Sequence, residues 1–297
     1  MKVFRLLLLF VFFAVPTFTL AMGSAVTLMD DLGNKVVLSA PAKRIVSLAP
    51  SVTEIVYAAG AGSRLVGASA YSDWPPAARK LPHVGDAFRI DLERIAALKP
   101  DLVIAWASAT PPAARDALRR LGLPLVLFAP RKLSEIADEI QLVGKAAGTQ
   151  TAAGRAAQAF LRERERLARA YAGRKPVSVF YEISANPLYT VGGRQFISQV
   201  LTLCGGRNIF SDLGELAPVV SRAAVLARNP QAILTGSDVR TSVRLAAWKR
   251  WPWLVAVKSG NLFTVPGEML GRASPRILEA AVVVCRDLDT ARRRLKR

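Results

Sequence analysis

The sequence predicts an α/β protein made of two similar lobes with parallel-type sheets, joined by one long helix. Three observations predict it. Short apolar runs of strand length alternate with helical patterns, the arrangement that builds parallel sheets. A helix stopped by proline and followed by an apolar strand occurs twice, as RIAALKPDLVIAW around Pro100 and AAVLARNPQAILTG around Pro230. An echo that widely spaced suggests two like lobes rather than a solenoid; the competing reading is coincidence, since helix-proline-strand is common local grammar. Between the echoes, residues 149–172 carry no proline and end at Gly173, and a helix of roughly 22 residues there would span about 33 Å.

Taken in order, the chain opens with Lys2 and Arg5, an apolar run over 6–15, and small residues around Ala21 and Gly23. These read as a signal peptide over 1–23, with a mature chain from Ser24. A membrane anchor is the competing reading, but Pro16 interrupts the run short of the roughly 20 residues a spanning helix needs. No cysteine follows the run, which favours a soluble periplasmic protein over a lipid-anchored one. An N-terminal lobe over 24–148 then begins with a strand over 44–48. PSVTE opens a helix, with Ser51 as N-cap and Glu54 three residues on, a capping box. That helix ends at Gly60-Ala-Gly62, and a strand covers 65–68.

Pro100 stops the next helix, over 92–98, and the strand over 101–105 delivers Trp106 to its carboxyl end. Ligands of open α/β sheets sit at that end. A helix over 112–121 stops at Gly122, before a strand over 125–128. The linking helix, 149–173, carries Phe160, Leu167 and Tyr171 at helical spacing and a Glu165–Arg169 pair on its exposed face. One such strut predicts restricted lobe motion. The C-terminal lobe, 174–290, repeats the pattern with a strand over 177–181 and a helix over 196–203 ended by Cys204-Gly-Gly206, and a frayed basic tail covers 291–297. Trp248, Trp251 and Trp253 are expected to pack this lobe.

Composition narrows the function. The chain is 52% hydrophobic and 21% charged, ordinary for a globular protein of 297 residues. Its net charge of +19 suggests nucleic acid, but the arginines are spread over helix faces without interleaved aromatics, so a solvated basic surface is expected instead. His83 is the only histidine, which leaves no HExxH or clustered metal ligands and weakens any imidazole-based catalysis. No metal site, cofactor or enzymatic activity is expected. Export makes Cys204 and Cys285 a disulfide candidate, the alternative being two buried free thiols.

With YSDWPP at Tyr71, LERIAALKPDLVIAW, VLTLCGGRNIF, VSRAAVLARNPQAI, GRASPRI and Cys285 laid out, the chain resembles the periplasmic vitamin B12-binding proteins of bacterial ABC importers, within the iron-siderophore and cobalamin class of substrate-binding proteins. The resemblance covers nearly all of the mature chain. It implies the class III periplasmic binding protein fold, cobalamin or a related corrinoid as transported ligand, and a membrane-embedded permease as partner of a monomeric binding protein. By position it implies Tyr71 and Trp106 as ligand contacts from the N-terminal lobe, and Glu268, Met269, Leu270, Gly271 and Arg272 from the C-terminal lobe. Arg272 has an equally good structural reading, because Ser274 and Pro275 follow as N-cap and first helical residue. Glu93 aligns with an acid that meets permease arginines, a solvated helix charge being its plain alternative. At Ala87 the family places an aromatic contact. Phe88 next door restores stacking after a one-residue shift, or anchors the loop. The chain departs from the family at Ala223, where the second docking glutamate is missing, and at Ala217 and Ile183, where aromatics are missing. A haem or ferric-siderophore binder of the same class is the nearest rival, and a secreted enzyme the rival of another class.

Overall fold

A computed structural model describes residues 24–86, 89–238 and 241–296; the expected signal peptide and Phe88 lie outside the described residues. The described residues open with an antiparallel hairpin of β1 (Val26–Met29) and β2 (Lys35–Leu38). Asp30 builds its turn, accepting from the N–H groups of Leu32 at 3.0 Å and Asn34 at 2.7 Å. A further bond from the Leu127 N–H at 3.2 Å holds the turn on the first sheet.

That sheet follows as β3 (Ile45–Ser47), α1 (Pro50–Ala58), β4 (Leu65–Ala68), α2 (Leu92–Ala97), β5 (Leu102–Trp106), α3 (Pro112–Arg120) and β6 (Leu125–Phe128). Its strands run in the order β4-β3-β5-β6, and every pair is parallel. β5 reads as a continuous apolar run because both faces are covered: Leu102 to Ala105 are all buried. Asp91 caps α2 by accepting from the Arg94 N–H at 2.9 Å.

α4 (Glu135–Ala147) leads into α5 (Gln150–Tyr171), the long helix the sequence predicts. Ala153, Ala157, Phe160 and Leu167 form its buried stripe, while Arg169 and Glu165 pair at 2.7 Å on its exposed side. Glu139 of α4, 1% exposed, faces the carboxyl of Asp31 in the turn of the hairpin. Burial, and then repulsion from Asp31, pushes that carboxyl well above the usual range.

The second half comprises β7 (Val177–Glu182), a small hairpin of β8 (Ser184–Ala185) and β9 (Leu188–Tyr189), α6 (Phe196–Leu203), β10 (Gly206–Asn208), α7 (Arg222–Arg228), β11 (Ala232–Gly236), α8 (Thr241–Trp248), α9 (Val255–Lys258), β12 (Leu262–Val265), α10 (Gly267–Leu270) and α11 (Ile277–Arg294). Here the order is β10-β7-β11-β12, again all parallel. The two sheets do not stand apart on a bare strut. One apolar cluster runs from Leu28 and Ile45 through Ile136 and Phe160 to Val177, Leu201 and Leu288, so both lobes share a core along α4, α5, α6 and α11. Cys204 at the end of α6 is disulfide-bonded to Cys285 of α11, 81 residues away with a Cα–Cα distance of 4.6 Å.

Four local expectations are corrected. Ser51 does not cap α1: the helix already begins at Pro50 with Ala49 as N-cap and no side-chain bond, and Glu54 bonds to the other lobe rather than closing a capping box. Ser274 does not cap α11 either, since the helix begins at Ile277 and the hydroxyl of Ser274 donates to Glu54 at 2.6 Å. The basic tail is helical as far as Arg294, with Ala291 buried. Arg292 holds it down, donating to the carbonyls of Cys204 at 2.6 Å and Gly205 at 2.9 Å. Of the three tryptophans, Trp248 is core, stacked edge-on against Phe180 at 5.5 Å, but Trp253 is exposed.

Candidate functional site

The carboxyl ends of both sheets open onto one cleft of about 700 Å³, within the range of small-molecule sites. Strand ends supply its N-terminal wall: Ala49, Pro50 and Ser51 after β3, Trp106 and the turn beyond it after β5, and Ala129, Pro130 and Arg131 after β6. Leu32 reaches in from the Asp30 turn. Across the cleft stand Arg194, Gln195 and Phe196 at the start of α6, Leu216 and Ala217 from the following loop, and Gly271, Arg272 and Ala273 after α10. Aromatic and aliphatic surface thus faces a few polar groups, the balance that suits a large, mostly apolar ligand rimmed by hydrogen-bonding groups.

Rigid supports hold several of these residues. Trp106 ends β5, in register with Phe128 of β6. Arg115 donates to the carbonyls of Thr110, at 2.7 Å, and Ala107, which fixes the turn after Trp106. On the other wall, the N–H groups of Gly192 and Gly193 bond the carbonyls of Leu216 at 3.2 Å and Leu213 at 3.0 Å. A Cβ on Gly192 would lie 1.9 Å from the carbonyl oxygen of Glu215, and one on Gly193 2.1 Å from that of Ser211. Only glycine permits this approach, which sets Arg194 on a firm turn.

Arg272 is committed to holding the lobes together. It donates to Glu54 at 2.9 Å and Asp73 at 2.7 Å, and to the carbonyl of Tyr71 at 3.2 Å. Arg276 adds a second contact to Glu54 at 3.4 Å and stacks on Trp74, its guanidinium 4.4 Å from the ring centroid. Trp74 therefore fixes the YSDWPP loop to the opposite lobe. Within its own lobe that loop is tied down by hydroxyls: Thr53 donates to Ser72 at 3.0 Å and is bonded to Ser47.

Among the sequence-derived candidates, the cleft gathers Trp106, Gly271 and Arg272. Tyr71 lies outside its lining, with a left-handed backbone at φ 64° and a side chain 79% exposed. Its carbonyl is bonded to Arg272, so it stands at the rim. Leu270 lies outside the lining, its side chain wholly buried in the shared core. Met269 is half-buried against that core, and Glu268 is exposed outside the lining. Phe88 lies outside the described residues. Glu93 is exposed in the first turn of α2, away from the cleft lining, and Ala223 is exposed on α7. Sequence reasoning missed Leu32, Arg131, Arg194 and Phe196. The signal for Arg131 was present, because it follows the strand at 125–128 much as Trp106 ends its own.

Two parallel-sheet lobes joined by one helix, with a cleft at their facing strand ends and a charged clamp across it, define a substrate-binding protein. The chain belongs to the periplasmic binding protein family, whose profile matches residues 45–269. It is 38% identical over 254 residues to the vitamin B12-binding protein of Vibrio cholerae, covering 85% of this chain and 91% of that protein. The crystal structure of the periplasmic vitamin B12-binding protein BtuF of Vibrio cholerae is similar with a TM-score of 0.79, covering 85% of this chain and 98% of that one. The periplasmic haem-binding protein RhuT of Roseiflexus is more distant, 26% identical with a TM-score of 0.73 over 84% of this chain and 99% of that one.

Proposed function

We propose that this protein captures a cobalamin-like corrinoid in the cleft and hands it to the permease of an ABC importer, catalysing no reaction. The observation that carries the reading is the 38% identity over 85% of the chain to a vitamin B12-binding protein, joined to a cleft of suitable size and apolar character at the strand ends. Titration calorimetry of the mature protein with cyanocobalamin, haemin and a ferric siderophore tests it. Micromolar or tighter binding of cyanocobalamin is expected; binding of haemin with no response to any corrinoid would replace this reading with the haem one.

Trp106 is the main ligand contact in this proposal, with Tyr71 closing over the ligand from the rim and Phe88, Gly271, Glu268 and Met269 as secondary contacts. Trp106→Ala should weaken corrinoid binding by about thirtyfold, the effect of removing a buried aromatic anchor worth roughly 2 kcal/mol. Tyr71→Ala should weaken it less. Unchanged affinity in both variants, with unchanged melting, would remove the cleft from the mechanism.

Glu93 docks on the permease in this proposal, as an exposed carboxylate on the first turn of α2. Reversing its charge with Glu93→Arg should slow association with the reconstituted importer about tenfold at low salt, less as salt rises. Equal association rates for both proteins across the salt series would leave Glu93 as an ordinary solvated helix charge.

A further inference from the structure

Four arginines line the cleft, and two of them are already spent. Arg115 is bonded to the carbonyls of Thr110 and Ala107. Arg272 is bonded to Glu54, Asp73 and Tyr71. The other two, Arg131 and Arg194, line the same cavity, and their guanidinium groups have no carboxylate or carbonyl partner among the described residues. The acids of the adjoining loops, Asp31 and Glu215, form no ion pair with either.

These two free cations come from opposite lobes but sit on connected supports. Gln199, on the first turn of α6, donates to the carbonyl of Arg131 and accepts from the N–H of Leu133 at 3.0 Å. Arg194 stands just before that helix, on the glycine turn. The Arg131 segment is also held from its own side, because Glu135 accepts from the N–H groups of Arg131 at 2.5 Å and Lys132 at 3.0 Å. Both guanidiniums are thus offered from fixed backbone at the corner where α6 meets the segment after β6.

We infer that Arg131 and Arg194 form an anion subsite of the cleft, and that the ligand this protein selects carries a phosphate or carboxylate group there. Physical reasoning favours an anion over an amide. A ligand that covers two guanidiniums without supplying acceptor charge strips their water and returns little. A phosphate or carboxylate accepts bidentate, charge-assisted bonds that offset the loss. This inference rests on the corrinoid reading of the cleft and narrows it to corrinoids that bear a negative group, whether the phosphodiester of a nucleotide loop or a peripheral carboxylate.

The test titrates the wild-type protein and an Arg131→Gln/Arg194→Gln variant with four probes, in low and high salt. The probes are cyanocobalamin, which carries a phosphodiester; dicyanocobinamide, which carries amides and no phosphate; dicyanocobyrinic acid, which carries carboxylates; and haemin. Wild-type protein is expected to bind at least one of the two anionic corrinoids roughly 10- to 100-fold more tightly than cobinamide, with the margin shrinking in high salt. Which one it prefers identifies the source of the charge. The variant, checked for an unchanged melting temperature, is expected to lose that preference. Equal binding of all three corrinoids by wild type, or a preference that survives in the variant, overturns the anion subsite. Arginine-dependent binding of haemin without binding of any corrinoid upholds the subsite and overturns the corrinoid reading. Binding of no probe at all overturns both.

Discussion

Glu54→Ala is expected to lower the unfolding free energy by about 3–5 kcal/mol, the cost of removing one partner from a buried ion pair. Glu54 is 4% exposed, and its carboxylate receives Arg272, Arg276 and the Ser274 hydroxyl, all from the opposite lobe. Removing it leaves two arginines facing each other in a poorly hydrated seam, with Ser274 fully buried beside them. A loss of that size corresponds to a melting temperature lower by roughly 5–8 °C in a chain of this length. Urea unfolding checks the value, and a loss under 1 kcal/mol would mean that water or a rearranged Asp73 replaces the carboxylate at little cost. Acid should weaken the same clamp. Burial raises the Asp73 carboxyl, but the hydrogen bond and charge of Arg272 outweigh it and hold the group below the usual carboxylate range. Stability from a depressed acid is complete above its unfolded value, about 4, and is lost as pH falls through the lower folded value. Arg272→Ala should flatten that acid-side slope.

Most of the fold could be read from local signals because its strands are buried on both faces and bounded by proline and glycine. The strands expected over 65–68 and 125–128 and the helix over 196–203 occur at those positions. Several elements were not read at all, among them the hairpin of β1 and β2 and the short strand β10. The hairpin alternates over only four residues per strand, and its turn is set by Asp30 bonding to Leu127, a partner nearly a hundred residues away. Such a tertiary signal leaves no trace in a window of ten residues.

Misread residues share one cause. Ser51, Glu54 and Ser274 fit the pattern of helix starts when each segment is taken alone, yet the folded chain uses two of them, Glu54 and Ser274, together with Arg272 and Arg276, to join the lobes. Local capping is worth about 1 kcal/mol, and a buried charged network outcompetes it. The same network engages the Arg272 guanidinium with Glu54 and Asp73 where it lines the cleft, and the proposed anion-binding role falls to Arg131 and Arg194. Neither of those belongs to a motif; each is recognised only by lining the cavity with no side-chain partner among the described residues.

Removing the Cys204–Cys285 bridge should cost about 4.5 kcal/mol, from the entropy released when a loop of this length is no longer closed in the unfolded chain. The native side offers little reason for a larger or smaller figure. With both cysteines replaced by alanine, α6 and α11 still meet in the shared apolar core around Leu201 and Leu288, and Arg292 still holds the carbonyls of Cys204 and Gly205. The loss should therefore lie mainly in the unfolded state, and urea unfolding can separate the two sides. An unfolded-state effect raises the denaturant slope, since the uncrosslinked chain exposes more surface, and leaves ligand affinity in native buffer within about threefold. If the double alanine variant instead keeps the slope and loses the ligand, the bridge is fixing the position of α6, and with it Phe196 and Arg194, in the folded protein.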